Sequence, residues 1–156
     1  INPSCRVRTY QTFFLPETRP LSDFSQYDYV VDAIDTVTGK KEILLCAREA
    51  GVPVISAMGA GNKVDASAFR VADIYQTSGC PLARVMRKLC RENGIQKLKV
   101  VYSQEPPIRP LEIPGCEPDP QRRSLPGSSA FAVAAAGMLL AGEVIKDLTH
   151  FDRGER

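Results

Sequence analysis

Two runs of buried-strand character with a helix between them are the feature that most constrains this fold. The first strand is predicted at Tyr29–Ile34, the helix at Thr36–Ala50 and the second strand at Val52–Ala57. Gly51 stands just past the helix and Pro53 follows two residues later, which is typical of a helix stop. A strand–helix–strand unit joins parallel strands. The sequence therefore predicts an α/β fold with a mainly parallel sheet.

The rest of the chain continues the alternation of strands and helices. Further elements are expected as strands at 6–14, 69–74 and 97–102, a short helical turn at 21–24, and helices at 78–93 and 128–148. The proline-rich stretch 104–126 is too long for a tight turn and predicts a crossover loop. We expect one domain, with sheet and helices over 1–103, this loop over 104–126 and the C-terminal helix over 127–150.

Composition narrows the class of protein. Charged residues make up 24% and hydrophobic residues 44% of the chain, which is ordinary for a globular domain. The formal net charge of +2 gives no argument for a nucleic-acid partner. The longest apolar run, Ala130–Ala141, suits a buried helix better than a membrane span, and the amino end does not resemble a secretory leader. We expect a cytoplasmic protein without a membrane partner.

The five cysteines are scattered and odd in number, and they predict reduced thiols. No CxxC pair is present, which argues against a structural zinc site. Cys46 and Cys90 fall near apolar helix faces, where cysteine acts as a small hydrophobe. Cys116 lies in the proline-rich stretch without a neighbouring histidine, so nothing there predicts an activated thiolate.

Two carboxylates stand where the first predicted strand ends. Asp32 closes the strand and Asp35 directly precedes the helix. Ligands of open α/β sheets bind beyond the carboxyl ends of strands, and a helix N-terminus favours phosphate. A carboxylate there would repel phosphate unless a hard cation such as magnesium bridges the two. The spacing leaves a second interpretation open, in which Asp35 only caps the helix.

Gly59 and Gly61 follow the second strand of the unit, again at a carboxyl end. Their backbone N–H groups are available for a ligand in one interpretation. In the commoner one they are turn glycines.

The predicted helix 78–93 has two faces. Apolar residues at helical spacing are expected to face the core: Leu82, Val85, Met86 and Leu89. Basic residues cover the other side, and two more follow on the next strand: Arg84, Arg87, Lys88 and Arg91, then Lys97 and Lys99. Such a strip is a weak signal for binding a nucleic-acid backbone, and a solvated face is the commoner explanation.

Several motifs in order resemble the ubiquitin-activating-like (ThiF-type) adenylyltransferase superfamily. The superfamily's strand–Asp–helix motif and its sequel are present as DYVVDAIDTVTGKKEILLCAREAGVPVISAMGAGNKVDASAFRVADI. MGAGNKVDASAFRVADIYQTSGCPLARVMRKLCRENGI, KLKVVYSQEPP and the ending GSSAFAVAAAGMLLAGEVIKDL are similar to the bacterial tRNA threonylcarbamoyladenosine dehydratase branch. The resemblance covers nearly the whole chain. It implies a Rossmann-like three-layer fold, of which this chain is the C-terminal half.

The resemblance also implies an activity. Members of that branch are homodimers that use ATP and magnesium to adenylylate the carboxylate of N6-threonylcarbamoyladenosine in tRNA and let it cyclise. A sulfur-transfer or cysteine desulfurase system is a further partner that the resemblance suggests. Asp35 matches the magnesium-associated, catalytic aspartate, and Thr36 follows it in the nucleotide-contacting pair. Lys40 falls where relatives carry Arg or Lys, and Gly59 and Gly61 complete the expected ATP site.

Departures from the superfamily pattern matter as well. Its glycine-rich nucleotide loop of the GxGxxG type is absent from these residues, and the chain opens without Met, so we expect a fragment that is inactive in isolation. The lack of two CxxC pairs favours the tRNA branch over relatives that activate sulfur carriers. The residues around Cys116 do not match those of thioester-forming relatives. Two alternatives stay open: adenylylation of the C-terminus of a ubiquitin-like sulfur carrier, and a non-catalytic dimerisation or interaction piece.

Overall fold

A four-stranded sheet organises the computed structural model, which describes residues 2–109 and 126–151. Its strands are β1 Val30–Asp32, β2 Val54–Ala57, β3 Phe69–Asp73 and β4 Lys99–Ser103, and its helices are α1 Val37–Ala50, α2 Pro81–Glu92 and α3 Ala130–Leu148. The strand order is β1-β2-β4-β3. β1, β2 and β4 run parallel, and β3 pairs with β4 antiparallel. The predicted α/β fold with a mainly parallel sheet is confirmed.

Helices cover both faces of this sheet. Leu44 of α1 and Met86 of α2 share one buried cluster with Val100 of β4. Ala136 of α3 packs on the opposite face, in a cluster that contains Val101 of β4. Val100 and Val101 point to opposite faces because side chains alternate along a strand. The result is the three-layer arrangement that the resemblance implied.

The ends of α1 show how local sequence sets the crossover between β1 and β2. Thr36 is the N-cap, and α1 ends at Gly51 in the left-handed conformation, with φ +69°. The N–H of Gly51 donates to the carbonyls of Ala47 and Arg48, which satisfies part of the last turn. The chain then enters β2 and pairs Val54 with Val30 in parallel register. The predicted βαβ unit is therefore confirmed.

Two sequence predictions about these elements are wrong. Residues 6–14 form no strand: they pair with no strand of the described sheet, and 6–13 are exposed. Strand-like sequence is not sufficient there because a strand also needs a neighbouring strand to form hydrogen bonds with. Val85 is 48% exposed, whereas Ala83, Met86 and Cys90 are the buried residues of α2. Val85 lies about 200° around the helix from Ala83, and so points away from the core.

Most of the predicted proline-rich loop falls on residues 110–125, outside the described residues, and Cys116 falls there too. Cys46 and Cys90 are buried as expected, and burial raises the pKa of Cys90 to about 11. Within the described ranges, no helix combines the length and hydrophobicity needed to cross a membrane.

Candidate functional site

The carboxyl ends of β1, β2 and β4 lie at one edge of the sheet because these strands are parallel. Three connections leave this edge, and residues 33–36, 58–62 and 104–109 form their first parts. The predicted nucleotide residues Asp35, Thr36, Gly59 and Gly61 all lie on the first two of these connections. The topology therefore brings them to the same edge.

Asp35 is exposed in the turn between β1 and α1. The N-cap of α1 is Thr36, and its side chain makes no capping hydrogen bond. Asp35 therefore does not hold the N-cap position that one interpretation of the sequence gave it. The first turn of α1 contains no acidic residue, so its N–H groups and dipole face this turn without a charged partner from within the helix.

Beneath this turn lies a fully buried ion pair. The Lys40 ammonium donates to both carboxylate oxygens of Asp32, at 3.1 and 3.0 Å, and to the Ala57 carbonyl at 2.7 Å. Ser56 contacts both groups, since its hydroxyl donates to Asp32 and lies 3.4 Å from the Lys40 Nζ. Lys40 and Asp32 are each 0% exposed. This network joins α1 to the carboxyl ends of β1 and β2.

The buried network also reaches the exposed turn. Asp32 Oδ1 accepts a hydrogen bond from the N–H of Ile34, one residue before Asp35, at 3.4 Å. Among the described residues, no buried side-chain nitrogen or oxygen lacks a hydrogen-bond partner. Buried charges are tolerated when they are paired and fully hydrogen-bonded. Lys40 is thus directed at Asp32, and Asp32 in turn bonds to the turn that carries Asp35.

The connection after β2 is tied to two other segments. Asn62 adopts a left-handed conformation with φ +57°. Its N–H donates to the Gly127 carbonyl at 2.7 Å, and its side-chain oxygen accepts from the Gly127 N–H at 2.6 Å. Its own carbonyl accepts from the N–H of Ile108 at 2.8 Å. The loop that carries Gly59 and Gly61 is thereby held against the start of α3 and the segment after β4.

The two glycines of this loop differ in their surroundings. A Cβ on Gly61 would lie 2.9 Å from the Cβ of Pro126, so close packing gives a structural reason for glycine there. A Cβ on Gly59 would meet only the Cβ of Leu82, at 3.8 Å, which is ordinary contact. The packing therefore explains Gly61 but not Gly59.

Sequence reasoning missed a second polar cluster at this edge. Lys63 is only 3% exposed, and its ammonium donates to the Glu105 carbonyl. The Glu105 carboxylate accepts from the N–H groups of Val64 and Asp65 at 3.1 Å. The position of Glu105 just past β4 is the signal that could have found it, since polar residues after parallel strands converge.

Two residues of the predicted basic strip, Arg87 and Lys99, form hydrogen bonds within the protein. Arg87 is half-buried and donates to the Thr77 carbonyl at 2.5 Å and the Thr77 hydroxyl at 3.2 Å. Lys99 donates to Glu143 and Asp147 on α3. The basic residues of the strip that remain exposed are Arg84, Lys88, Arg91 and Lys97. Of these, Arg91 stacks over the Tyr75 ring at 5.6 Å.

The side chains of the candidate site suit a magnesium ion that is shared with a nucleotide better than a metal ion held by protein ligands alone. No group of three or more His, Cys, Asp or Glu side chains in the described ranges could hold a metal ion. Magnesium in nucleotide sites is bound by one or two carboxylates together with substrate phosphates and water. The exposed Asp35 carboxylate beside a helix N-terminus fits that pattern. It would supply one ligand and leave the others to the nucleotide.

A cavity of about 700 Å³ lies at the opposite, amino edge of the sheet, and its lining includes Tyr29, Pro53, Lys146, Asp147 and Phe151. It precedes β1 and β2 rather than following them. The cavity is therefore separate from the candidate nucleotide residues.

Comparison with known proteins places the chain in a family. The model of the ThiF family matches residues 1–155. The tRNA threonylcarbamoyladenosine dehydratase of Bacillus subtilis strain 168 is 37% identical over 157 residues, which is 95% of this chain and 61% of that protein. The enzyme of the same name from Haemophilus influenzae is 31% identical over 95% of this chain and 60% of its own length. The chain thus spans about three fifths of these relatives.

Solved structures agree with this placement. The E. coli tRNA N6-threonylcarbamoyladenosine dehydratase TcdA in complex with AMP superposes with a TM-score of 0.79 and 26% identity, over 96% of this chain and 59% of that one. Its complex with ATP gives a TM-score of 0.69 over 96% of this chain and 61% of that one. With a family match over nearly its full length and the same α/β architecture, the chain belongs to the ThiF family.

Proposed function

We propose that the natural protein carrying this chain uses ATP to adenylylate the carboxylate of N6-threonylcarbamoyladenosine in tRNA and promotes its cyclisation. The observation that carries the proposal is similarity over 95% of the chain to two enzymes named for this reaction. The exposed Asp35 at the carboxyl edge supports it, because acidic residues act there in open α/β sheets. We place the reaction in the cytoplasm, with no membrane partner.

The reaction sets an electrostatic requirement. The substrate carboxylate attacks the α-phosphorus of ATP, a bond to one carboxylate oxygen forms, and pyrophosphate leaves. Ring closure then expels AMP. Both reactants are anions, so magnesium, when bound, offsets the charge of the phosphates. Asp35 would hold the ion, and Thr36 with Gly59 and Gly61 would contact the nucleotide through groups at the same edge.

Lys40 enters this proposal as a supporting residue. Its ammonium is enclosed and bonded to Asp32 and to the Ala57 carbonyl. Through Asp32, which accepts from the Ile34 N–H, it would fix the turn that presents Asp35. Its influence on the nucleotide is thereby indirect.

Transfer RNA and a second copy of the protein are the partners that the proposal includes. The exposed basic residues of α2 are the candidate contacts to the RNA backbone: Arg84, Lys88 and Arg91. Arg87 would support that surface through Thr77. A sulfur-transfer or cysteine desulfurase system remains a proposed further partner.

The role of Asp35 can be tested by removing only its charge. In the natural protein, we expect Asp35→Asn to lower ATP-dependent conversion of the modified tRNA on the order of 100-fold or more, since metal binding supplies several kcal/mol to such reactions. Thermal stability should barely change, because Asp35 is exposed.

Asp28→Asn is the matched control. Asp28 is also exposed and lies at the other end of β1, so its substitution should leave turnover unchanged. Normal turnover by a well-folded Asp35→Asn protein would overturn the magnesium role. Absence of turnover in the wild-type natural protein would overturn the proposed reaction.

A further inference from the structure

The loop that carries Gly59 and Gly61 is held at both of its ends. At its start, the Met58 side chain is buried, and the Met58 N–H donates to the Val101 carbonyl of β4 at 2.8 Å. At its other end lies Asn62, which bonds to other segments through its backbone and its side chain. Only three residues lie between these two points, and two of them are glycines. Because glycine has the most backbone freedom to lose, the conformation of this stretch depends on how its ends are held.

Three residues hold the far end of the loop, and we refer to Asn62, Lys63 and Glu105 as the loop anchor. Glu105 lies just after β4, and its carbonyl accepts from the Lys63 ammonium. In return, Oε2 of its carboxylate accepts from the N–H groups of Val64 and Asp65, each at 3.1 Å. The two segments are thus joined in both directions, and neither can shift along the other without breaking these hydrogen bonds.

The loop anchor also reaches the start of α3. The Asn62 N–H donates to the Gly127 carbonyl at 2.7 Å, and the Gly127 N–H donates to the Asn62 side-chain oxygen at 2.6 Å. Ser129, the N-cap of α3, donates its hydroxyl to the Lys63 carbonyl at 3.0 Å and accepts from the Ala132 N–H at 3.4 Å. The end of the loop is therefore fixed to α3 as well as to the segment after β4.

The charge of Lys63 is costly for a residue that only fills space. Lys63 is 3% exposed, and none of the ion pairs among the described residues includes it. A buried ammonium without a carboxylate partner loses hydration that one carbonyl replaces only in part. An apolar side chain of similar length would pack there at lower cost. The charge thus points to a task beyond packing, and the contact that the structure shows is the one to the Glu105 carbonyl.

We propose that the loop anchor holds residues 58–62 in their binding conformation before ATP arrives. This inference rests on the proposed function, in which Gly59 and Gly61 contact the nucleotide. A loop that is already ordered binds its ligand without a further loss of conformational entropy. Asn62, Lys63 and Glu105 are therefore positioning residues, because they act on the nucleotide through the backbone of the two glycines.

Glu105 allows the sharpest test, because its charge and its hydrogen bonds can be removed separately. Glu105→Ala removes the acceptor for two backbone N–H groups, whereas Glu105→Gln keeps one side-chain oxygen that can accept from both. In the natural protein, we expect Glu105→Ala to raise the KM for ATP roughly 10-fold, since ordering one residue on binding costs about that factor. Its kcat should be almost unchanged, and Glu105→Gln should keep the wild-type KM.

The direction of the change separates positioning from other effects of the substitution. Alanine and glutamine both remove a negative charge from the edge where we place ATP, which by charge alone would tighten the binding of an anion. The loop anchor instead predicts weaker binding for Glu105→Ala. A loss of stability alone would lower the folded fraction and hence the apparent kcat, and it would leave the KM unchanged.

Two more variants test the other hydrogen bonds of the loop anchor. Lys63→Met keeps a side chain of similar length but removes the donor to the Glu105 carbonyl. Asn62→Gly retains a residue that adopts a φ of +57° readily, while it removes the acceptor for the Gly127 N–H. Both variants should raise the KM for ATP in the same way as Glu105→Ala.

Hydrogen exchange of the natural protein without ATP gives a readout that does not depend on activity. The amides of residues 58–62 should exchange faster in Lys63→Met and Glu105→Ala than in the wild type, because one end of the loop is released. Asp23→Ala is the matched control, since the Asp23 carboxylate also accepts from a backbone N–H, that of Ser25, in a turn before β1. Its KM for ATP and its exchange over 58–62 should equal those of the wild type.

An unchanged KM in folded Glu105→Ala and Lys63→Met, an equal rise in Glu105→Gln, or unaltered exchange over 58–62 would each overturn the inference. If the wild type binds magnesium–ATP but does not convert the modified tRNA, the proposed reaction fails by itself. Calorimetric dissociation constants of magnesium–ATP for the same variants then take the place of KM, with the same 10-fold rise expected for Glu105→Ala. A wild type that does not bind ATP would overturn both proposals.

Discussion

Lys40 is the largest fully buried side chain among the described residues. A buried ammonium is tolerable only with a close counter-charge and further acceptors. Asp32, Ser56 and the Ala57 carbonyl provide them, from two neighbouring strands. A single residue of α1 thereby joins the helix to the carboxyl ends of two strands, at the edge where we place the nucleotide.

We expect Lys40→Met to lower the free energy of unfolding by about 3–5 kcal/mol, because it leaves the Asp32 carboxylate buried without its counter-charge. Urea unfolding would measure the change. Lys88→Met is the matched control, since the Lys88 side chain is 78% exposed and only 3.7 Å from Glu92 in a surface pair. Its effect should stay below about 1 kcal/mol.

The double variant Lys40→Met with Asp32→Asn tests the same pair from the other side. Asparagine removes the uncompensated charge, so the two substitutions should cost clearly less than the sum of their separate effects. Additive effects would mean that Lys40 and Asp32 do not interact strongly.

At the scale of elements, an ionic cluster fastens α3 to the start of β4. Lys99 donates to Asp147 at 2.7 Å, and the Tyr29 hydroxyl donates to the same carboxylate at 2.7 Å. These hydrogen bonds hold the pKa of Asp147 below its usual 3.8. Burial opposes the charged form of Lys99, yet its bonds to Asp147 and Glu143 keep its pKa above 10.5.

These directions fix a pH window for the stability of the cluster. A carboxyl group with a lowered pKa stabilises the fold above its unfolded pKa, and this contribution is lost as the pH falls through the folded value. Asp147→Asn should therefore lower the free energy of unfolding at pH 7 by about 0.5–1 kcal/mol, as for a partly exposed pair. The difference from wild type should shrink as the pH falls below 3.8, the usual Asp pKa.

Unfolding by urea at pH 7 and at pH 3 would measure this difference. Because the pKa of Lys99 is raised, the stability difference between Asp147→Asn and wild type should persist on the alkaline side until the pH exceeds 10.5. Glu17→Gln, at an exposed site near the amino end, should show no such pH dependence. A difference of equal size at pH 3 would contradict the ionic origin.

The exposed basic residues of α2 make a prediction about RNA. Each Lys or Arg that neutralises a phosphate steepens the salt dependence of binding, by roughly 0.7–0.9 in logarithmic slope. If the natural protein binds tRNA through this face, Arg84→Gln with Lys88→Gln should weaken binding and reduce that slope by about 1–2. Filter binding over a salt series would measure it.

Arg87→Gln is an informative control for this face. Arg87 bonds to Thr77, so its loss should lower stability while changing the salt slope little. If the salt slope of the folded double variant is unchanged, Arg84 and Lys88 do not contact the RNA and belong to an ordinary solvated helix surface.

Local sequence patterns predicted those elements well whose structure depends mainly on residues close together in the sequence. Gly51 ends α1 as expected, and the parallel β1–β2 pair follows from the length of the crossover. Contacts between distant segments could not be predicted. A Cβ on Gly39 would lie 2.6 Å from the Phe14 carbonyl oxygen, a constraint set by the position of Phe14 against α1.

The candidate site likewise combines a feature that local sequence predicts with one that depends on distant contacts. Asp35 could be placed at the carboxyl edge because it directly follows a predicted parallel strand in the sequence. The burial of Lys40 depends on Asp32 and Ser56 meeting across two strands. A basic residue one turn into a helix carries no local signal that distinguishes these situations.

At the scale of the whole molecule, the chain spans about three fifths of the relatives it matches. Its edge strand β1 pairs with β2 on one side, and the described sheet has no strand on the other. The residues at its carboxyl edge include an exposed carboxylate, but no GxGxxG phosphate loop occurs in the sequence. Backbone N–H groups of such loops supply much of the grip on nucleotide phosphates.

We therefore expect the 156-residue chain alone to bind magnesium–ATP weakly, with a dissociation constant above roughly 1 mM, where the binding free energy is only about −4 kcal/mol. Titration calorimetry of this chain beside the natural protein would measure the difference, and circular dichroism would show that the chain is folded. In the natural protein, Asp35→Asn should weaken magnesium-dependent ATP binding, whereas Asp28→Asn should not. Micromolar affinity in the isolated chain would contradict the expectation. It would mean that the turn at Asp35 and the loop at Gly59–Asn62 build the phosphate site by themselves.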